Sequence, residues 1–143
     1  MKKILLITSH LPEDKLMEKV YTPVDNPELA YGETHFPAIP LVNAYVEEGE
    51  LVKVVTISYD IPACKKNASL LKKEIKAALK PKNAILDFEN VVVPFDNSIT
   101  AVLNVYQELI KRVEDGDELY ADITYGSKPM PIVLIMAMQY AYR

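Results

Sequence analysis

Apolar runs of strand length alternate along this chain with segments whose apolar residues recur at helical spacing, and this alternation restricts the fold more than any other feature. Residues 3–8 are a continuous run rich in Ile and Leu, suited to a strand buried on both faces. Residues 38–48 read as a helix, with Gly49 where a C-terminal cap belongs. Residues 51–59 are a second strand, rich in Val, Ile and Thr. Ala68, Leu71, Ile75 and Leu79 form a helical apolar stripe that Pro81 ends. Residues 90–95 are the third strand. Asn97 or Ser98 caps the following helix, whose stripe is Ile99, Val102, Tyr106, Leu109, Ile110 and Val113 and which Gly116 closes. Residues 118–124 are the fourth strand, and Gly126-Ser127-Lys128-Pro129 turns the chain into a last helix. Such alternation implies right-handed βαβ crossovers and the α/β class: a single domain with a mostly parallel sheet and helices on both faces.

Two segments break the regularity. The connection from residue 9 to 37 carries Pro12, Pro23, Pro27, Gly32 and Pro37, and reads either as a lid over a site or as a surface excursion. The last helix is apolar around most of its circumference from Ile132 to Ala141. A helix of this kind must be covered on more than one side. A partner subunit would cover it, or further chain beyond Arg143 if this domain is the N-terminal part of a longer effector.

Charge and rare residues narrow the chemistry. The formal net charge of −4 argues against a broad grip on duplex nucleic acid, but one helix end and one Lys suffice for a small anion. Cys64 is the sole cysteine and His10 and His35 are the sole histidines, so neither a disulfide nor a metal site is expected, and no cofactor is implied. Lys65, Lys66, Lys72, Lys73, Lys76 and Lys80 read as the solvated face of their helix. The N-terminal apolar run is too short for a signal peptide, and residues 132–138 fall far below the roughly 20 apolar residues of a membrane span. A cytoplasmic domain without membrane contact is the expectation.

Ligands of open α/β sheets bind at the carboxyl ends of the strands, near the reversal of strand order. Two strand ends here carry suitable residues: Thr8-Ser9-His10, and Asp122-Ile123-Thr124-Tyr125-Gly126-Ser127-Lys128-Pro129-Met130. Gly126 permits close backbone approach to a ligand. Pro129 is preorganised for the first helical turn and wastes no donor there. The free amides and the helix dipole form an anion site to which Lys128 adds a full charge, while Thr124 and Ser127 offer hydroxyls. Asp122, flanked by apolar residues, is suited to ordering the turn rather than to touching an anion. On spacing alone, an ordinary capped strand-to-helix turn accounts for the same residues.

The segment Asp122-Ile123-Thr124-x-Gly126-Ser127-Lys128-Pro129-Met130 resembles the signature of CARF domains, the CRISPR-associated Rossmann-fold sensors, which commonly read Asp-x-Thr-x-Gly-Thr-Lys. Tyr125 stands where a second glycine is frequent in that family. The likeness extends to Thr8-Ser9-His10 and to the approach Tyr31-Gly32-x-Thr34-x-Phe36-Pro37. It implies a Rossmann-like homodimer that binds a cyclic oligoadenylate across its two-fold axis. That ligand is the second messenger of type III CRISPR antiviral defence, and binding regulates an attached accessory effector. Carried over by position, Thr124, Tyr125, Gly126, Ser127 and Lys128 would contact phosphate and ribose, and Thr8, Ser9 and His10 the bases or ribose. Asp122 and Pro129 would support the loop.

The expectation is therefore a sensor for cyclic tetra-adenylate, or next for cyclic hexa-adenylate. The enzymatic alternative is a metal-independent ring nuclease that cleaves the same ligand through positioning and charge stabilisation, with Lys128, Ser127 or Ser9 supplying contacts. A third reading, an ordinary mononucleotide domain, lacks the glycine-rich fingerprint after the first strand. No effector nuclease motif is present. Lys128→Ala is expected to weaken oligoadenylate binding by roughly 1.5–3 kcal/mol per lost charge-assisted contact, with little change in melting. Titration calorimetry beside a melting curve checks this, and unchanged affinity with a normal melt would leave an ordinary turn.

Overall fold

A computed structural model describes residues 3–9, 19–20, 27–29, 31–94, 98–122 and 129–142. In chain order the elements are β1 (Lys3–Ser9), β2 (Lys19–Val20), β3 (Glu33–Thr34), α1 (Ala38–Tyr45), β4 (Leu51–Tyr59), α2 (Pro62–Leu79), β5 (Ile85–Val93), α3 (Ile99–Ile110), β6 (Glu118–Asp122) and α4 (Pro129–Tyr142). Four strands form one parallel sheet in the order β5-β4-β1-β6, and β2 and β3 make a separate antiparallel pair. From β1 the chain steps outward to β4 and β5, then crosses back to lay β6 on the other side of β1. Strand order thus reverses between β1 and β6.

β4 explains how the two helical layers attach. Val52 and Val54 point into a core with Phe36, Ala38, Ile39 and Val42 of the α1 region and Leu71, Ile75, Ala78 and Leu79 of α2. Val55, Ile57 and Tyr59 point the other way, into a core with Val105 and Leu109 of α3 and Val133, Leu134 and Ala137 of α4. The period-2 alternation of a strand splits one apolar run between two faces. The sheet is therefore covered on both sides, α1 and α2 on one and α3 and α4 on the other. This is a Rossmann-like α/β arrangement.

Several boundaries shift for physical reasons. α1 ends at Tyr45 rather than at residue 48, because buried Val46 turns extended and Glu47 and Glu48 would set negative charge at the helix's negative end. Neither Gly49 nor Gly116 caps its helix: the caps are Val46 for α1 and Lys111 for α3, and the two glycines, with φ of 76° and 86°, turn the chain a few residues further on. β5 begins at Ile85, five residues before the expected start. Asp87 and Glu89 disguise it as a loop, yet β5 is a sheet edge, where charged alternate positions are tolerated. Ser98 is the cap of α3, its hydroxyl accepting from Ala101 N at 3.2 Å. The buried residues of α3 are Val105 and Leu109, whereas Ile99 from the expected stripe is 80% exposed. The connection from residue 9 to 37 contains the β2–β3 pair and a 3-10 turn at Pro27–Leu29, short elements that leave no periodic trace in sequence. The expected ends of two strands, Phe95 and residues 123–124, and the alternative cap Asn97 lie outside the described residues. Among the described residues no helix is long and apolar enough to cross a membrane.

One ion-pair network ties β5 to the end of α3. Arg112 donates to Glu89 through Nε at 2.8 Å and Nη2 at 2.5 Å, and through Nη1 to Glu108 Oε2 at 3.0 Å. These donations hold both carboxyls below the ordinary carboxylate range. A depressed folded pKa stabilises above the unfolded value and is lost as pH falls through the folded one. The stability difference between wild type and Arg112→Gln should therefore be largest near neutral pH and close in acid. Urea denaturation across pH checks this, and a difference that grew in acid would contradict the assignment.

Candidate ligand-binding site

The site is built from the sheet register. Thr8 of β1 pairs with Asp122 of β6 on one side and with Thr56 of β4 on the other, and Thr56 pairs with Asn90 of β5. Four polar residues thus stand at one level across four strands. Two residues nearer the amino end, the same register reads Phe88, Val54, Leu6 and Tyr120. The change from apolar to polar falls toward the carboxyl ends, where parallel α/β sheets bind their ligands.

Polar burial confirms that this level is specially organised. Thr56 and Ser58 are fully buried, and both hydroxyls donate to Asn90 Oδ1 at 2.7 Å. A buried hydroxyl without a partner costs about 1–3 kcal/mol, so the shared acceptor is what makes these two positions tolerable. Asn67 of α2 and Asp122 are also buried, at 2% and 6% exposure, and each has an interaction partner. On the opposite face of β4 and β5, Val55, Ile57, Tyr59, Val91 and Val93 remain apolar along the same stretch. The polar character belongs to one face only.

Of the residues anticipated from sequence, Thr8 and Ser9 lie at the end of β1, Asp122 at the end of β6 and Pro129 at the start of α4. The two strand ends are direct neighbours, about 4.8 Å apart in the hydrogen-bonding direction. His10, Thr124, Tyr125, Gly126, Ser127 and Lys128 lie outside the described residues. Thr56, Ser58, Asn67 and Asn90 were not anticipated. The signal for Thr56 and Ser58 is present in β4, where even positions run Val52, Val54, Thr56, Ser58 while odd positions stay apolar from Val55 onward.

The approach to α1 is anchored rather than loose. Glu74 of α2 accepts from the Thr34 hydroxyl, from His35 N at 3.2 Å and from His35 Nδ1 at 2.7 Å. Thr34 and Phe36 are buried at 1% and 3% exposure. Beside this anchor Tyr31, Glu33, His35, Lys73 and Glu74 line a cavity of about 320 Å³. The stretch 31–37, the last part of the suspected lid, is thereby tied into the core. Among the described residues no group of three or more His, Cys, Asp or Glu side chains could hold a metal ion.

No protein-family model and no curated protein matches the chain. Asn90→Ala is expected to destabilise the domain by about 2–4 kcal/mol, because two fully buried hydroxyls lose their acceptor. Adding Thr56→Val and Ser58→Ala should recover part of that loss. Chemical denaturation of the set checks this, and a loss in Asn90→Ala below about 0.5 kcal/mol would mean the network is not what supports the buried hydroxyls.

Proposed function

We propose that this chain is a CARF-like sensor domain that binds a cyclic oligoadenylate, cyclic tetra-adenylate first and hexa-adenylate next, to regulate a type III CRISPR accessory effector. The observation that carries the reading is the direct pairing of β1 with β6 at the reversal of strand order. It sets Thr8-Ser9, near one end of the sequence, beside the start of the segment Asp122 to Lys128, near the other. A site of this kind gathers ribose and phosphate contacts from both strand ends, with Lys128 supplying charge at the start of α4.

A two-fold assembly is part of the proposal. α4 carries no charged residue over Pro129–Tyr142 and leaves Ile132, Ile135, Met136 and Tyr140 about half exposed. Burying that face against a second copy would bring two motif loops to one shared pocket and double Lys128. The test is incubation with radiolabelled cyclic tetra- and hexa-adenylate, read for binding and for linear products, beside light scattering. One ring per dimer, at twice the chain mass, is the expected result. Linear products would change the reading to ring nuclease. Absence of binding, or a monomer holding one ring per chain, would refute the sensor dimer.

A further inference from the structure

The charge of this protein is segregated. Residues 61–86 contain seven lysines and Glu74 as their single acid, a local charge of +6, and the rest of the chain carries −10. Six of those lysines lie on α2 and its C-terminal cap: Lys65, Lys66, Lys72, Lys73, Lys76 and Lys80, all exposed. At 100° per residue they fall within a sector of about 120°, and they extend over about 22 Å of helix. The core-facing residues Cys64, Ala68, Leu71, Ile75 and Leu79 occupy a different sector, so this stripe faces solvent.

Three features separate the stripe from an ordinary solvated face. Such faces mix signs, with Glu and Lys at i,i+4 supporting the helix. Here Lys72 and Lys76, and Lys76 and Lys80, are like charges at that spacing and repel. Glu74, the acid that would relieve them, points off the stripe and is occupied by Thr34 and His35. Among the described residues the stripe has one ion pair, Lys65 with Asp60 at 2.8 Å, at its N-terminal end. Lys72 also sits over the Phe88 ring, its Nζ 5.7 Å from the centroid, but among the described residues Lys66, Lys73, Lys76 and Lys80 have no ion pair, and such repulsion marks a surface that meets opposite charge.

The chemistry of the stripe selects the partner. Protein interfaces are depleted in Lys and need buried aromatic or apolar anchors. Between these lysines the sector holds only Ser69 and no aromatic, apolar or Arg side chain. The Phe88 ring beside the stripe faces Lys72 Nζ at 5.7 Å, and the stripe has no bidentate donor, so it has no means of reading bases. A linear row of flexible ammonium groups fits the linear charge of a phosphodiester backbone. We propose that the exposed face of α2 is a sequence-independent docking surface for the phosphate backbone of single-stranded nucleic acid.

The experiment is fluorescence anisotropy of the full chain with labelled oligouridylate and oligodeoxythymidylate of about 20 nucleotides. If about four phosphates are neutralised, binding should weaken roughly 50-fold between about 50 and 200 mM salt. The triple variant Lys72→Gln, Lys73→Gln and Lys76→Gln should lose at least about tenfold in affinity at low salt and flatten the salt slope by about 2. Its melting temperature should be unchanged or raised, since repulsion is relieved. Lys111→Gln, at an exposed lysine just past the end of α3, should bind as wild type. RNA and DNA strands should bind alike. The proposal is overturned by absence of wild-type binding at low salt, by full binding in the triple variant, or by equal losses in Lys111→Gln. A strong RNA preference would indicate 2′-hydroxyl readout in place of backbone docking, and equal affinity for polyglutamate would indicate an acidic protein partner. None of these readings depends on oligoadenylate binding.

Discussion

The two-sided burial of β4 is the constraint on which the rest of the molecule depends. From Val52 to Tyr59 all residues but Lys53 are buried, and alternate side chains enter opposite cores. A strand in that position cannot slip by one residue without exchanging its two faces, so the register with β1 and β5 is fixed strongly. The helices then have no freedom about where to dock. The α1 region and α2 must cover Val52 and Val54, and α3 and α4 must cover Val55, Ile57 and Tyr59.

The same strand carries the transition from scaffold to site. Its even positions change from Val to Thr and Ser at Thr56, and in low dielectric those hydroxyls require a partner. Asn90, on the edge strand, satisfies both through one carbonyl oxygen. Replacing Asn90 with an apolar residue while keeping Thr56 and Ser58 would strand two donors, so the three residues form one unit. Because β1 and β6 share the register, the polar level continues through Thr8 to Asp122. A fold chosen by apolar packing therefore carries, on one face, a buried polar band toward the carboxyl ends of its strands.

Electrostatics divides the surface in a complementary way. Acidic residues are spread over most of the chain, whereas lysines concentrate on α2. Glu74 is withdrawn from that face by its three contacts with residues 34 and 35, which anchor the approach to α1. One carboxylate thus fixes a connecting segment and, among the described residues, leaves Lys72, Lys73 and Lys76 without an ion pair. Packing and surface potential are linked through this single side chain.

Local sequence was sufficient wherever the physics is local. The extent of β4, the cap at Ser98 and the helical stripe on α2 follow from periodicity and hydroxyl capping, whereas the helix ends expected at Gly49 and Gly116 fall earlier, at Val46 and Lys111. The edge strand β5 was only half legible, because Asp87 and Glu89 break the apolar pattern and become acceptable only at a sheet edge, with Arg112 nearby. The β2–β3 pair left no trace, since two residues are too few to set a period. Segment Asp122 to Lys128 was conspicuous as sequence, but its neighbour was not. That Thr8 stands beside Asp122, and that Thr56, Ser58 and Asn90 meet, was decided by the strand order β5-β4-β1-β6. Parallel pairing joins residues distant in the chain, and the side of β1 on which β6 lands is set by how the intervening helices pack, which no local pattern encodes.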